Sequence, residues 1–332
     1  MTNTPQPAAP YADLTPDTLL DAVEAAGWRT NGELLALNSY ENRVYQVGLD
    51  EGQPLVAKFY RPGRWTDAAI LEEHGFVAEL AAREIPVVAP LTDAHGATLL
   101  HHAGFRFALF PRRGGRAPEL DSAVNLEWLG RFLGRIHAVG MVKSFRERTS
   151  IDVDSLGVPA RTAVLACGFL PDDLVARYRE VADAVLDGAR RAFARAGNYR
   201  RLRLHGDCHP GNILWTDAGP HFVDFDDAAD GPAIQDLWML LSGSRADMTT
   251  QLDSVLEGYR QFADFDAAEL HLLEALRALR IMHYAAWIAR RWDDPAFPRS
   301  FPWFNTPRYW ENHIQNLREQ IPLIDEPPLE AA

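Results

Sequence analysis

Apolar residues recur along this chain with two different periods. Behind Thr15-Pro16-Asp17, an N-cap with a first-turn proline, Leu19, Leu20, Val23 and Ala26 step at helical spacing until Gly27. Apolar, β-rich runs then predict strands over 33–37, 44–49 and 54–60, around a polar turn at 38–42 and a second turn from Gly48 to Pro54. A helix is expected over about 65–83, with Ile70, Phe76, Val77 and Leu80 on one face. Residues 86–90 read as extended, and 98–100 and 105–110 as further strands. Pro111-Arg112-Arg113-Gly114-Gly115 breaks the pattern. Beyond it the chain reads as helical over 122–140, 171–196, 233–241, 248–262 and 267–291, with a β insert between Arg203 and Asp224. No fixed-period repeat runs through it. The pattern predicts an α+β chain in two lobes. A loose tail (1–12) precedes a β-rich lobe (13–110), a connecting segment (111–117) and a mainly helical lobe (118–332).

The β insert carries the candidate chemistry. His205-Gly206-Asp207-Cys208-His209-Pro210-Gly211-Asn212 sets Asp207 and Asn212 five positions apart around a Pro-Gly turn. Protein-kinase catalytic loops use the same spacing. There the Asp accepts or orients the attacking hydroxyl and the Asn holds Mg²⁺ on the phosphates, so both must point into one cleft. Ile213-Leu214-Trp215, a turn at 216–219 and Pro220-His221-Phe222-Val223 read as a hairpin. It would return Asp224 as a second metal carboxylate, within Asp224-Phe225-Asp226-Asp227. Lys58 lies in Leu55-Val56-Ala57-Lys58-Phe59, close to the kinase Val-Ala-Ile-Lys strand. A buried ammonium needs anionic partners, which ATP phosphates and a helix carboxylate would supply. Glu73 shares a face with Phe76, Val77 and Leu80 and is the preferred partner, with Glu72 the alternative. The turn at 38–42 has no glycine, so Ser39 and Asn42 side chains with backbone N–H groups are expected at the phosphates. Backbone groups of Leu109 and Phe110 are expected at the adenine, and Asp236 is expected to accept backbone donors of the catalytic loop. Singly, Asp207 reads as a loop acid, Asn212 as a turn residue and Lys58 as a solvated charge. Their order and context carry the reading.

Composition narrows the partners. The net charge of −13 argues against general nucleic-acid binding. Of 33 basic residues only Lys58 and Lys143 are lysines, which suggests a place for a compact point charge. No apolar run approaches the ~18 residues of a membrane span, and the start lacks the features of a signal peptide. Two cysteines make no secreted framework, so a cytoplasmic address is expected, and the chain is taken as a monomer. No Walker A, Gly-x-Gly-x-x-Gly or Gly-x-Ser-x-Gly sequence is present, and His205, Asp207, Cys208 and His209 lack a second ligand cluster at zinc spacing. Arg190, Arg191, Arg195, Arg200, Arg201 and Arg203 read as a solvated helix face rather than an anion receiver. Trp287, Trp292, Phe297, Phe301, Trp303 and Phe304 read as core rather than a pocket wall.

These residues resemble the aminoglycoside phosphotransferase and choline kinase branch of the kinase-like superfamily, which writes its loop His-Gly-Asp-x-x-x-x-Asn with a following hydrophobic-Asp. They are more similar still to the bacterial stress response kinase A family. The matching motifs are Asn38-Ser39-Tyr40-Glu41-Asn42-Arg43-Val44-Tyr45, Arg61-Pro62-Gly63-Arg64-Trp65, Leu71-Glu72-Glu73-His74, the run 205–215, Val223-Asp224, Gln235-Asp236-Leu237-Trp238-Met239-Leu240 and the aromatic tail from Trp303 to Trp310. The resemblance runs from about Leu34 to Leu317. It implies a bilobal protein-kinase-like fold and an ATP- and Mg²⁺-dependent Ser/Thr protein kinase that autophosphorylates and protects cells under stress. It carries the proton acceptor to Asp207, the metal ligands to Asn212 and Asp224, and a nucleotide-loop serine to Ser39. Only 11 residues separate Asp224 from Asp236, too few for a long activation segment, so switching by activation-loop phosphorylation is not expected. The same chemistry serves a protein hydroxyl or a small alcohol, so a small-molecule kinase is the alternative. A non-catalytic ATP-binding module is a third reading, opposed by the intact Lys58, Asp207, Asn212 and Asp224.

Overall fold

The computed structural model describes residues 10–330. Thr15 caps the first helix, α1 (Pro16–Ala25), its hydroxyl accepting from the Thr18 N–H at 3.2 Å. Strands β1 (Thr30–Ala36), β2 (Arg43–Leu49) and β3 (Leu55–Phe59) follow, then α2 (Asp67–Ala81), β4 (Leu100–His102) and β5 (Phe105–Pro111). The five strands form one antiparallel sheet in the order β1-β2-β3-β5-β4. Period-two alternation splits its faces. Val47, Ala57, Phe59, Phe107 and Leu109 pack with Leu19, Ala22 and Val23 of α1, whereas Ala108 packs with Ile70 of α2. Lys58, opposite Ala108 in the β3–β5 register, shares that second face.

The tail differs from expectation. Residues 1–9 lie outside the described residues, but Tyr11, placed in the loose tail from sequence, is docked. Its phenol oxygen sits 3.2 Å from the carbonyls of Glu41 and Phe59, and the Arg43 guanidinium lies 4.4 Å from its ring centroid. A ring with an apolar body and a polar tip finds both partners here.

The connecting segment starts inside the sheet, since β5 runs through Pro111 opposite Leu55. Arg116 then exchanges two backbone hydrogen bonds with Trp215, at 3.0 and 2.6 Å. The second lobe comprises α3 (Ala123–Gly140), α4 (Val158–Ala166), α5 (Asp172–Ala196), β6 (Leu202–Leu204), β7 (Ile213–Thr216), β8 (Gly219–Phe222), β9 (Ala229–Gly231), α6 (Ile234–Trp238), α7 (Arg245–Tyr259), α8 (Leu273–Ala289), α9 (Ala296–Ser300) and α10 (Pro307–Ile324). Helices α3 and α7 touch backbone to backbone. A Cβ at Gly130 would lie 1.9 Å from the Val255 carbonyl oxygen, and one at Gly258 would lie 2.0 Å from that of Glu127. One core gathers under α3, α7 and the β7–β8 hairpin, and a second between α4, α5, α8 and α10.

Helices α4, α9 and α10 were not read from the sequence. The start of α10 is nonetheless written as Thr306-Pro307, with the Thr306 hydroxyl accepting from the Tyr309 N–H at 3.3 Å. The helix expected over 267–291 begins as a 3₁₀ turn, Ala267–Leu272, before α8. Phe297, Phe301 and Phe304 are buried while Trp303 is exposed, so the aromatic cluster is mainly core. Most of the arginine cluster is spent on surface ion pairs: Arg190 with Asp187, Arg191 and Arg195 with Asp325, and Arg201 with Asp152. Arg203 departs from the expected solvated face, being buried against Glu79 at 2.8 Å and over the Phe76 ring. Both cysteines are free. Among the described residues no helix is long and apolar enough to cross a membrane.

Candidate active site

The short ladder of β6 and β9 delivers the chain into the loop from His205 to Asn212, the candidate catalytic loop. Gly206 has φ +85, and a Cβ there would lie 2.0 Å from the Asp227 carbonyl oxygen, so only glycine fits. Pro210–Asn212 then form one 3₁₀ turn, capped by His209 Nδ1 accepting from the Gly211 N–H at 3.0 Å. The Asn212 carboxamide N–H donates to the Asp207 carbonyl at 3.0 Å. This bond spends the nitrogen of the amide and leaves its Oδ1 as an acceptor. Strands β7 and β8 form the expected hairpin around Asp217-Ala218, and the Val223 N–H returns to the Asn212 carbonyl at 3.0 Å. Asp224 follows in the left-handed region (φ 61, ψ 64), a conformation Asp tolerates better than most residues.

Asp236, near the start of α6, holds the loop from beneath. It is fully buried and accepts from the N–H of His205 (2.8 Å), the N–H of Gly206 (2.9 Å) and His137 Nε2 (3.0 Å). Burial pushes its carboxyl up, but the His137 hydrogen bond, the charges of His137 and His205 and the Gly206 N–H outweigh that and hold it below the usual range. Gln235 donates to the Gly206 carbonyl at 2.9 Å. The loop-bracing role expected of Asp236 is thus what its contacts provide. His137, whose other nitrogen meets the Tyr259 hydroxyl at 2.9 Å, was not singled out from sequence.

Lys58 meets the second lobe at this point. Its Nζ lies 2.8 Å from Asp224 Oδ1 and 2.5 Å from Asp226 Oδ1. Burial alone would depress its pKa, but Asp224, Asp226 and Glu73 outweigh it and hold the ammonium well above its ordinary value. The ion pair expected between Lys58 and Glu73 is not made. Glu73 is buried and adds only its more distant charge, while Asp226 occupies the contact position. Burial pushes the Glu73 carboxyl up to about 7, against the Lys58 charge. Glu72 turns away altogether, accepting from the backbone N–H groups of Arg146 and Glu147.

Two further nucleotide-site expectations need correction. Asn42 is buried and its amide is spent at both ends: Nδ2 donates to Asp226, and Oδ1 accepts from the Arg61 N–H at 3.0 Å. It braces Asp226 instead of facing phosphates. Leu109 and Phe110 lie within the sheet opposite Ala57 and Val56, and the Leu109 carbonyl already accepts from the Leu91 N–H at 2.7 Å. Ser39 is partly buried in the β1–β2 turn.

That turn is tied to the helical lobe by contacts the sequence did not reveal. Glu41 accepts from Trp287 Nε1 and pairs with Arg291 Nε, both at 2.6 Å. The Tyr40 ring packs on Phe301, centroids 5.0 Å apart. Arg43 and Arg61 both reach Asp294, at 2.9 and 2.8 Å. Finally Asp207, one-fifth exposed, has Arg280 Nη1 against Oδ1 and His209 Nε2 at 3.6 Å from Oδ2.

The oxygen donors fit a magnesium ion. Asp224 is half-exposed and offers a carboxylate, Asn212 offers an amide oxygen, and Mg²⁺ prefers hard oxygens from one or two side chains with phosphates and waters completing the shell.

A five-stranded lobe on a helical lobe, with Asp207, Asn212, Asp224 and Lys58 at their junction, defines a phosphotransferase with a kinase-like fold. The model of the phosphotransferase enzyme family matches residues 33–273. More narrowly, the chain belongs to the stress response kinase A family. It is 45% identical over 320 residues to stress response kinase A of Escherichia coli (strain K12), with 96% of each chain covered. It is 43% identical over 320 residues to the serine/threonine protein kinase RdoA of Salmonella typhimurium, again with 96% of each covered. Its fold is similar to that of amicoumacin kinase hAmiN, solved with AMP-PNP and Ca²⁺ (TM-score 0.70, 19% identity, 92% of this chain and 93% of that one). A microcompartment-associated aminopropanol kinase is also similar (TM-score 0.67, 18% identity, 92% and 95% covered).

Proposed function

We propose that this protein is an ATP- and Mg²⁺-dependent serine/threonine protein kinase, phosphorylating protein hydroxyls including its own, with a stress-response role in the cytoplasm. The observation that carries the phosphotransfer is the bonding of Asn212 to the Asp207 carbonyl and to the Val223 N–H just before Asp224, with Lys58 closing on Asp224 from the other lobe. The names of its relatives support the protein acceptor.

Asp207 orients the acceptor hydroxyl and takes its proton once Arg280 leaves the carboxylate. Lys58 supplies a desolvated cation to the phosphate oxygens, with Asp226 holding its ammonium in place. Ser39 and the backbone N–H groups of the β1–β2 turn cover the phosphates, and the latch through Glu41, Trp287 and Arg291 fixes that cover. With Leu109 committed to the sheet, the adenine edge falls to the segment after Pro111. Asn212 Oδ1 and Asp224 would hold Mg²⁺, which when bound neutralises charge on the phosphates.

A small-molecule acceptor is a second reading. A cleft of about 480 Å³, lined in part by Arg280, which pairs with Asp207, favours it, a size in the usual range for small-ligand sites. The two separate on incubation with labelled ATP and Mg²⁺. Label on the protein itself and on serine of casein or myelin basic protein is expected. Label confined to the small-molecule fraction of a cell extract would reject the protein acceptor.

A further inference from the structure

The cleft beside Asp207 is walled by α8 and α10. Arg277 and Arg280 stand one turn apart on α8, facing Asn312, His313 and Asn316 of α10. The chain carries 46 acidic residues, yet none of the nine residues lining this cleft is Asp or Glu. The carboxylates that meet its guanidiniums are Glu274, 3.0 Å from Arg277, and Asp207, against Arg280. Arg277 is therefore largely neutralised, and it also lies over the Trp238 ring at 5.5 Å. Arg280 is different. It lines the cleft, its side chain is 42% exposed, and its partner is Asp207 itself. Across from it, His313 is buried, and its Nε2 has no hydrogen-bond partner among the described residues.

An acceptor hydroxyl that approaches Asp207 through this cleft meets Arg280 first. If the acceptor brings its own anion, Arg280 exchanges one carboxylate for another and Asp207 is freed to take the hydroxyl. If it brings an ammonium, like charges meet and Asp207 stays capped.

We propose that this cleft is the acceptor site and that it selects a hydroxyl compound bearing a carboxylate or phosphate beside the hydroxyl, with Arg280 as the specificity-determining residue. The inference rests on the phosphotransfer reading above. In the step, the acceptor oxygen bonds to the γ-phosphorus of ATP while the bond to the bridging oxygen breaks. ADP leaves with that electron pair, and the hydroxyl proton passes to Asp207.

The test uses two matched pairs of acceptors with Mg·ATP and the full chain. One is a serine peptide flanked by Asp and Glu beside its Asn and Gln twin; the other is glycerate beside glycerol. In one pair the acidic member should exceed its neutral twin in kcat/KM by about tenfold or more. Arg280→Gln should remove that preference by raising KM for the acidic member, with KM for ATP within about twofold; Arg280→Lys should restore part of it. The pair that shows the preference distinguishes a protein source from a small molecule. Equal turnover of both twins, or a preference that survives Arg280→Gln, overturns the inference. If neither pair is labelled while the chain still labels itself, the acceptor inference fails and the phosphotransferase reading stands. If the chain is not labelled either, both fail.

Discussion

Asp226→Asn removes the charge that anchors Lys58, and its cost can be worked from the contacts. Asp226 is 4% exposed. Its Oδ1 lies 2.5 Å from Lys58 Nζ, and its Oδ2 is 3.1 Å from Arg64 Nη1 and accepts from Asn42. Burial pushes this carboxyl up, but the charges of Lys58 and Arg64 and the bonds from Lys58 and Asn42 hold it well below the usual range. In the variant, Lys58 keeps only the half-exposed Asp224, and an amide nitrogen must face a cation or a donor. Breaking a buried pair from one side costs about 3–5 kcal/mol. Asp227, the next residue, is the control: its side chain is 48% exposed and its pair with Arg64 is worth under about 1 kcal/mol. Urea unfolding of Asp226→Asn and Asp227→Asn measures both, read from midpoints at constant m. The sign with pH is fixed as well. A depressed carboxyl stabilises above its unfolded value of about 3.9, and that contribution is lost as the pH falls toward the folded value. The gap between wild type and Asp226→Asn should therefore close in acid. Equal, small losses in the two variants at neutral pH would refute the anchoring role.

Asp236→Ala strands three buried donors and should cost about 3–9 kcal/mol, at about 1–3 per unsatisfied group; a loss below about 1 kcal/mol by urea unfolding would show that the loop does not depend on it. Burial pushes Glu269, which accepts from the Ile234 N–H at 2.9 Å, up to about 7. The folded carboxyl then keeps its proton where the unfolded one, near 4.3, has lost it, so stability should fall by about 4 kcal/mol across that window as pH rises. Glu269→Gln should flatten that slope, and an unchanged profile would assign it to other groups.

The catalytic loop was legible because its chemistry is local. Five positions separate Asp207 from Asn212, and a hairpin of two four-residue strands returns Asp224, so spacing alone implies convergence. Strand β3 was legible from its apolar run, and Lys58 stood out as one of two lysines. What the sequence could not show was how Lys58 is shared. The left-handed backbone at Asp224 and the 3₁₀ turn at Phe225–Asp227 bring Asp226 to the ammonium, and no periodicity encodes that kink. Glu73 did lie on the buried face its spacing implied, but a face does not specify a contact distance. The clamp on the nucleotide turn was hidden for another reason. Glu41 and Trp287 are 246 positions apart, and no local spacing joins the motif that holds Glu41 to the aromatic cluster that holds Trp287. Arg280 was masked likewise, being one of 31 arginines in the chain and lying on a helix without a motif.

Phosphoryl transfer should depend most directly on Asp207. Asn in its place keeps the size of the side chain and removes the group that takes the proton. Label transfer from ATP should fall by about 10²–10⁴-fold, the usual share of a positioned acid or base. Binding of Mg·ATP, measured by calorimetry on the same preparation, should stay within about threefold of wild type. Label transfer undiminished in Asp207→Asn would contradict the assignment of this loop as the catalytic centre.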